Sequence, residues 1–167
     1  PEPCRVANAR DFTRYDDGQR DDAEGHGTNV AAIVARAAPA AKILALDVFD
    51  GDGAYDSDIL RALNWVIQNR ASAAYGQICA VNLSLGGSTH YSAPCGADAY
   101  QSVFAEARRA GVLVAVAAGN EAKRGAVAAP ACAPAAVSVG AVYDSAYGAA
   151  MWGGDGACQD DATAADK

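Results

Sequence analysis

Apolar residues in the middle of the chain form short continuous runs that alternate with longer stretches of helical spacing. The continuous runs predict strands at 41–49, 78–85, 112–118 and 137–142, the first of them buried. Between the first two, Ser57 or Asp58 can cap a helix, and a second helix over 97–110 ends at Gly111. Strands separated by helices of this length are typical of parallel βαβ units. The pattern therefore predicts an α/β fold with a parallel sheet and helices on both faces.

The two ends of the chain show weaker patterns. Residues 5–12 can form a strand, which an acidic loop follows as far as Gly25. The last stretch, 143–167, is rich in Gly, Ala and Asp and has little periodicity, so we expect an irregular tail. The sequence has neither an internal repeat nor a linker, which indicates one domain, or part of one, over 1–167.

Charge, hydropathy and cysteine spacing argue against several classes of partner. The net charge is −7, and the Lys and Arg residues form no basic stripe, which disfavours nucleic acid. No apolar run approaches the roughly 18 residues of a membrane span, so we expect no membrane partner. The five cysteines lack any CxxC spacing, which argues against a zinc site and a thioredoxin-like motif and leaves disulfides open.

A histidine between two glycines is the most informative residue of the sequence. His26 follows Gly25 and precedes Gly27, where an acidic loop runs into an amphipathic helix. The glycines leave the imidazole edge uncovered, and a histidine held on a rigid element is well placed to act as a general base. The plainer interpretation is a surface histidine at the start of a helix.

Two glycine-containing turns follow predicted strands. Gly119-Asn120 comes directly after 112–118, and the carboxyl ends of parallel strands are where ligands bind. The Asn120 amide could therefore donate to a developing negative charge. Gly86-Gly87 follows the preceding strand and leaves backbone groups accessible to an extended peptide. Each motif is also compatible with a simple turn.

Three motifs occur in a fixed order along the chain: HGTNVAAIVA, NLSLGG and VAAGNE. With the ALDVF strand between the first two and PACAPAAVSVGAV after the third, this order is similar to the subtilisin-like serine peptidase family. The resemblance covers about 5–142 and implies an incomplete subtilisin-like α/β fold. It also implies a secreted parent protein, a serine endopeptidase that cleaves polypeptides through a Ser-His-Asp triad and an acyl-enzyme, with no cofactor or metal in its chemistry.

The resemblance assigns roles to individual residues. His26 resembles the general base of the triad, and Asn120 the side-chain donor of the oxyanion hole, so we expect both to flank one cleft. Pro130 matches a family proline that follows a cis peptide bond. One segment resembles the strand that pairs with the substrate backbone: Ser84, Leu85 and Gly86. Another resembles the opposite wall of the pocket for the residue before the cleaved bond: Ala117, Ala118 and Gly119.

Two family motifs are missing from the sequence. No apolar strand ending in Asp-(Ser/Thr)-Gly precedes His26, and no GTS segment follows Asn120, so this fragment by itself is predicted to be inactive. One alternative is a peptide-binding pseudoprotease module that truly lacks both motifs. A nucleotide-binding α/β domain is disfavoured because the spacing of Gly25 and Gly27 lacks a third glycine. The DGDG turn resembles a calcium loop, but Arg61 stands where the last ligand would be, so structural calcium is not supported.

The family order places the missing Asp strand at the centre of the sheet, between 41–49 and 78–85. Without it, strand edges lack partners, so the chain could pair these two strands directly, but we expect it to self-associate or to be ordered beside the remainder of its parent chain. A secreted enzyme is also expected to form disulfides. Cys95 and Cys132 are candidates for a pair, or for bonds to neighbouring segments, and Cys158 in the tail is the candidate for a lost partner.

Overall fold

The computed structural model describes residues 6–14, 22, 25–51, 53–96, 99–121, 123–142, 145–146, 148–152 and 158–162. The chain divides into two compact units, Pro1–Cys79 and Ala80–Lys167, and each unit is described by itself. Within the described ranges, every helix is too short or too polar to cross a membrane.

The first unit contains a two-stranded parallel sheet, a short hairpin and two helices. Its elements are β1 (Val6–Asp11), α1 (His26–Ala37), β2 (Ile43–Asp47), β3 (Phe49–Asp50), β4 (Gly53–Ala54) and α2 (Asp56–Asn69). β1 and β2 run parallel, with Asp11 opposite Asp47 at their carboxyl ends. The strands predicted at 5–12 and 41–49 are therefore confirmed. Gly51, with a φ of 62°, lies in the predicted turn, between β3 and β4.

Helix α2 buries the apolar face that its spacing predicts. The buried residues of this face include Ile59, Leu63, Val66 and Ile67. The predicted cap is wrong, because α2 begins at Asp56 and no described side chain caps it. The Asp58 carboxylate is instead buried, where it accepts hydrogen bonds from Ser57 and Arg61. The Arg61 guanidinium also donates to the Phe12 carbonyl at 2.7 Å, which ties α2 to the residue that follows β1.

The second unit is built on a three-stranded parallel sheet. Its elements are β5 (Ala80–Leu83), β6 (His90–Tyr91), α3 (Ala99–Arg109), β7 (Leu113–Ala117), β8 (Val127–Ala128), β9 (Val137–Val139), β10 (Gly148–Trp152) and β11 (Cys158–Ala162). The strand order is β5-β7-β9, with Leu83 opposite Val116 and Val116 opposite Ser138. Gly111, at a φ of 81°, follows α3 as its sequence predicts. The parallel α/β architecture expected from the alternation of strands and helices is confirmed.

The two faces of this three-stranded sheet differ in burial. Val114 and Val116 are buried on one face, and Phe104 of the neighbouring α3 is fully buried. Successive residues of a strand point to opposite faces, so Leu113 of β7 and Val139 of β9 lie on the other face. They are 51% and 50% exposed. Within the described residues, this second face is therefore an apolar surface open to solvent.

The tail predicted as irregular over 143–167 contains two strands, so that prediction is wrong for this part of it. β10 and β11 pair antiparallel, with Gly148 opposite Ala162 and Trp152 opposite Cys158. Main-chain hydrogen bonds hold such a pair together. The sequence does not reveal it because Gly, Ala and Asp, which are poor strand formers, make up much of both strands.

Candidate functional site

His26 is the first residue of α1, as predicted, and it is exposed. Gly25 precedes it with a φ of 71°, a left-handed conformation that favours glycine, and donates its N–H to the Asp22 carbonyl at 2.9 Å. The Asp22 carboxylate accepts the N–H of Thr28 at 2.6 Å. Asp22, which the sequence placed only in an acidic loop, therefore holds the start of the helix that carries His26.

The contribution of Asp22 to the stability of the start of α1 depends on pH. Hydrogen bonds from Thr28 lower the pKa of the Asp22 carboxyl below its ordinary value, and the nearby His26 adds to this effect. A carboxyl whose pKa is lower in the folded state contributes stability above its ordinary pKa. That contribution is lost as the pH falls through the lowered value.

We expect the Asp22→Asn variant to be less stable than the wild type at neutral pH, because the amide lacks the charge that favours the helix start. The difference should shrink below about pH 4, where the Asp22 carboxyl of the unfolded wild-type chain begins to take up its proton. Denaturant unfolding followed by circular dichroism near pH 7 and near pH 3 measures both values. A difference that stays the same at the two pH values would contradict this role of Asp22.

The predicted substrate-binding segments leave neighbouring strands of the second unit at the same edge of the sheet. β5 and β7 are paired and parallel, and Leu83 lies opposite Val116. The next residues along each strand are therefore Ser84 and Ala117, at adjacent carboxyl ends. The Asn82 side chain donates to Ser84 Oγ at 2.9 Å. The structure thus brings together the two predicted segments Ser84, Leu85, Gly86 and Ala117, Ala118, Gly119.

The loop that follows β5 is bonded to the segment around Pro130. The Gly87 N–H donates to the Ala129 carbonyl at 2.8 Å, and the Ala129 N–H donates to the Thr89 carbonyl at 3.1 Å. A Cβ at Gly86 would lie 3.3 Å from the Ala129 oxygen, which is tighter than an ordinary contact. Because Gly86 has no side chain, the loop that follows β5 and the segment around Pro130 can approach closely.

A disulfide joins the segment that follows β6 to the segment around Pro130. Cys95 and Cys132 are bonded, which confirms the candidate pair, and the Cys95 N–H also donates to the Cys132 carbonyl at 3.1 Å. Cys79 is free and exposed. The Cys158 side chain lies outside the part of the chain whose side chains the structure describes, so the expectation of a lost partner stays a prediction. The peptide bond between Ala129 and Pro130 is cis, as the family resemblance implied.

The chain leaves β7 through a tightly packed glycine. The Ala118 N–H donates to the Val139 carbonyl at 2.9 Å, and the Ala118 carbonyl accepts the N–H of Ala128 at 2.8 Å. Gly119 follows with a φ of 115°. A Cβ there would lie 3.0 Å from Glu121 Oε2 and 3.1 Å from the Ala128 Cβ. The backbone conformation therefore favours glycine before Asn120, and the neighbours leave little room for a side chain there.

An unfavourable φ costs about 1–3 kcal/mol. We expect Gly119→Ala to destabilise the protein by more than this, because the new methyl also meets Glu121 and Ala128. Gly125→Ala is a matched control, since Gly125 has a φ of 71° and open space where its Cβ would be. Denaturant titration compares the free energies of unfolding of the two variants. Equal losses would contradict the close packing at Gly119.

Asn120 is exposed, and its main chain is held by the next residue. Its backbone N–H donates to Glu121 Oε2 at 2.8 Å, so its side-chain amide is the remaining donor. The same oxygen lies 2.8 Å from His90 Nε2. Sequence reasoning assigned no role to His90. No local signal could reveal the contact, because the two residues are 31 positions apart and meet through the short pair of β6 with β8.

His26 and Asn120 lie in different units, so the expectation that they flank one cleft stays a prediction. Each of them occupies the type of element that the sequence indicates for it. His26 begins a helix, and Asn120 follows the carboxyl end of a parallel strand. These are the places where an exposed general base and an anion-stabilising donor can be presented to a ligand.

Comparison with known proteins identifies the family. A model of the subtilase family, which comprises serine peptidases of the subtilisin type, matches residues 4–165. Alkaline protease 1 of Aspergillus flavus is 38% identical over 132 residues, which are 77% of this chain and 31% of that protein. Subtilisin E of Bacillus subtilis is 33% identical over 154 residues, 84% of this chain and 37% of the relative. The chain thus spans about a third of the length of these relatives.

Solved structures agree on the fold. A psychrophilic protease designated S41 superposes with a TM-score of 0.53 at 23% identity, covering 75% of this chain and 37% of that protein. The prenylagaramide maturation protease PagA gives a TM-score of 0.51 at 24% identity, over 64% of this chain and 36% of its own. Identity this low supports the architecture alone. The family match over almost the whole sequence establishes that this chain belongs to the subtilase family.

Proposed function

We propose that this chain is part of a secreted serine endopeptidase and contributes its general base and its oxyanion donor. One observation supports the proposal most directly. In a chain of the subtilase family, Asn120 follows β7 and the Ser84–Gly86 segment follows the adjacent parallel strand β5. Acyl transfer on a polypeptide requires a hydrogen-bond donor for the oxyanion close to a segment that binds the substrate backbone. Neighbouring strand ends can present both.

In the proposed reaction, His26 takes the proton from a serine hydroxyl as that oxygen attacks the substrate carbonyl. It returns the proton to the leaving amine, and water then releases the acyl-enzyme by the same route in reverse. The serine, and the aspartate that orients the imidazole, belong to the remainder of the parent chain. The exposure of His26 at the start of α1 leaves its ring accessible to both partners. This chemistry needs no metal ion.

Asn120 supplies the electrostatic part of the proposed mechanism. The substrate carbonyl oxygen gains negative charge in the tetrahedral intermediate, and a donor already in place stabilises that charge without reorganising. Because the Asn120 backbone N–H is bound to Glu121, we assign the donation to its side-chain amide.

The proposed substrate is an extended polypeptide that adds a strand beside Ser84, Leu85 and Gly86. Main-chain hydrogen bonds would give such a substrate affinity with little dependence on its side chains. The segment Ala117, Ala118 and Gly119 forms the proposed opposite wall. Secretion is supported by the disulfide between Cys95 and Cys132, since such bonds persist in oxidising compartments.

The open apolar face of the second unit is proposed to be covered by the remainder of the parent chain. When the 167-residue chain is isolated from that remainder, we expect it to self-associate through Leu113 and Val139, which are both about half exposed. Replacing these two residues by lysine should lower the average mass measured by light scattering. A wild-type chain that stays monomeric at high concentration would contradict this expectation.

Incubating the full-length parent protein with an unfolded polypeptide tests the proposed function. We expect mass spectrometry to find products cut at internal peptide bonds, and no products from the 167-residue chain alone. If the full-length protein binds the polypeptide without cutting it, the pseudoprotease alternative replaces the proposal.

A further inference from the structure

One carboxylate oxygen joins the backbone of Asn120 to a residue from another strand. Glu121 Oε2 accepts the Asn120 N–H at 2.8 Å and lies 2.8 Å from Nε2 of His90. His90 is the first residue of β6, far from Asn120 in sequence. The oxygen is therefore a bridge between β6 and the loop that follows β7.

His90 is the firmly held end of this bridge. β6 pairs with β8 so that His90 lies opposite Ala128, and Ala128 in turn donates its N–H to the Ala118 carbonyl at 2.8 Å. Ala128 is 1% exposed. The His90 side chain is 13% exposed, whereas that of Glu121 is 45% exposed. The less exposed, strand-bound imidazole can therefore restrain the more open carboxylate.

The loop that carries Asn120 gains little stiffness from its own sequence. Gly119 precedes Asn120 with a φ of 115° and no side chain, so the main chain can rotate there unless the following residues are held. The bare Cα also gives the bridge its room. A Cβ at Gly119 would lie 3.0 Å from Glu121 Oε2 and 3.5 Å from His90 Nε2, so the pair closes directly against this backbone.

We propose that His90 and Glu121 are positioning residues that hold the main chain of Asn120 and thereby aim its side-chain amide at the oxyanion. The inference rests on the proposed function, because it requires Asn120 to be the oxyanion donor. Such donors act only when they are placed to within a few tenths of an ångström, and a neighbouring group that fixes the donor's backbone provides that accuracy.

The charge state of Glu121 is consistent with this role. Its hydrogen bond with His90, followed by that from the Asn120 N–H, lowers the pKa of the Glu121 carboxyl below its ordinary value. The group is therefore an ionised acceptor at neutral pH, and charge-assisted hydrogen bonds are short and directional. Because the Glu121 side chain is half exposed, the bridge adds little to overall stability, so its loss should affect the reaction more than folding.

Kinetics of the full-length parent enzyme on a peptide substrate test the proposal. We expect Glu121→Ala to lower kcat about tenfold, a typical effect of a small displacement of a catalytic donor, with KM within about twofold of wild type. Glu121→Gln keeps an acceptor and His90→Gln keeps a side-chain N–H, so both should retain most of the wild-type kcat. Glu106→Ala, on an exposed position of α3, is the matched control and should leave kcat unchanged.

A double variant separates positioning from an independent effect. If Glu121 acts through Asn120, adding Glu121→Ala to Asn120→Ala should lower kcat no further. If the two losses of kcat multiply in the double variant, the positioning role is overturned and the oxyanion function stands. The same holds if Glu121→Ala leaves kcat unchanged while Asn120→Ala lowers it as expected. If Asn120→Ala itself leaves kcat unchanged, the proposed oxyanion function fails, and the positioning role fails with it.

Discussion

Replacing His26 by alanine in the full-length parent protein is expected to lower kcat about a million-fold, the magnitude established for loss of the catalytic histidine in subtilisins. Without the imidazole, no group removes the proton of the attacking serine or protonates the leaving amine. Alanine is a good helix former, so α1 should remain intact. Hydrolysis of a chromogenic peptide, with active-site titration of the wild type, measures the loss.

Arg36→Ala is the matched control for His26, because Arg36 is an exposed residue in the last turn of the same helix. We expect this variant to retain the wild-type kcat. A His26→Ala variant that retains more than a small fraction of the activity would show that another group is the general base.

Asn120→Ala is expected to lower kcat about 100- to 1,000-fold and to change KM little. The side-chain amide is bound most strongly by the charged oxygen of the intermediate, so its loss destabilises the transition state more than the bound substrate. This expected loss of kcat equals the known effect of removing such a donor from a subtilisin. Steady-state kinetics at several substrate concentrations separate kcat from KM.

Asn64→Ala provides the control for Asn120, since Asn64 is exposed on α2 and has no part in the proposed site. It should leave both kinetic constants unchanged. An Asn120→Ala variant in which KM rises while kcat is preserved would indicate that Asn120 binds substrate and does not stabilise the oxyanion.

The regular elements could be predicted because apolar residues form continuous runs in the strands and a helical repeat in the helices. The helix that contains Leu63 buries the side that its spacing indicates, whereas the apolar run that contains Val114 and Val116 is buried on one face only. His26 and Asn120 could also be found, because each sits in a motif whose order along the chain is specific to one family. The match of a subtilase model to residues 4–165 confirms the family, and the roles of these two residues stay predictions.

The features that were missed depend on contacts between distant segments or on the main chain. Asp58 stood where a helix cap was expected, but burial beside Arg61 offers its carboxylate a stronger partner than free backbone N–H groups. The contact of His90 with Glu121 needs the two-residue strands β6 and β8 to pair, and strands this short leave no periodic signal. The pairing of β10 with β11 is likewise independent of hydrophobic alternation.

Covalent labelling with a fluorophosphonate tests the central claim, that this chain provides the general base of a serine peptidase. The reagent reacts only with a serine whose hydroxyl is activated by a neighbouring base. We expect mass spectrometry to find one labelled serine in the full-length protein, outside these 167 residues, and no label after His26→Ala. Labelling of Ser84, or labelling of the same serine at an unchanged rate in the His26→Ala variant, would contradict the account.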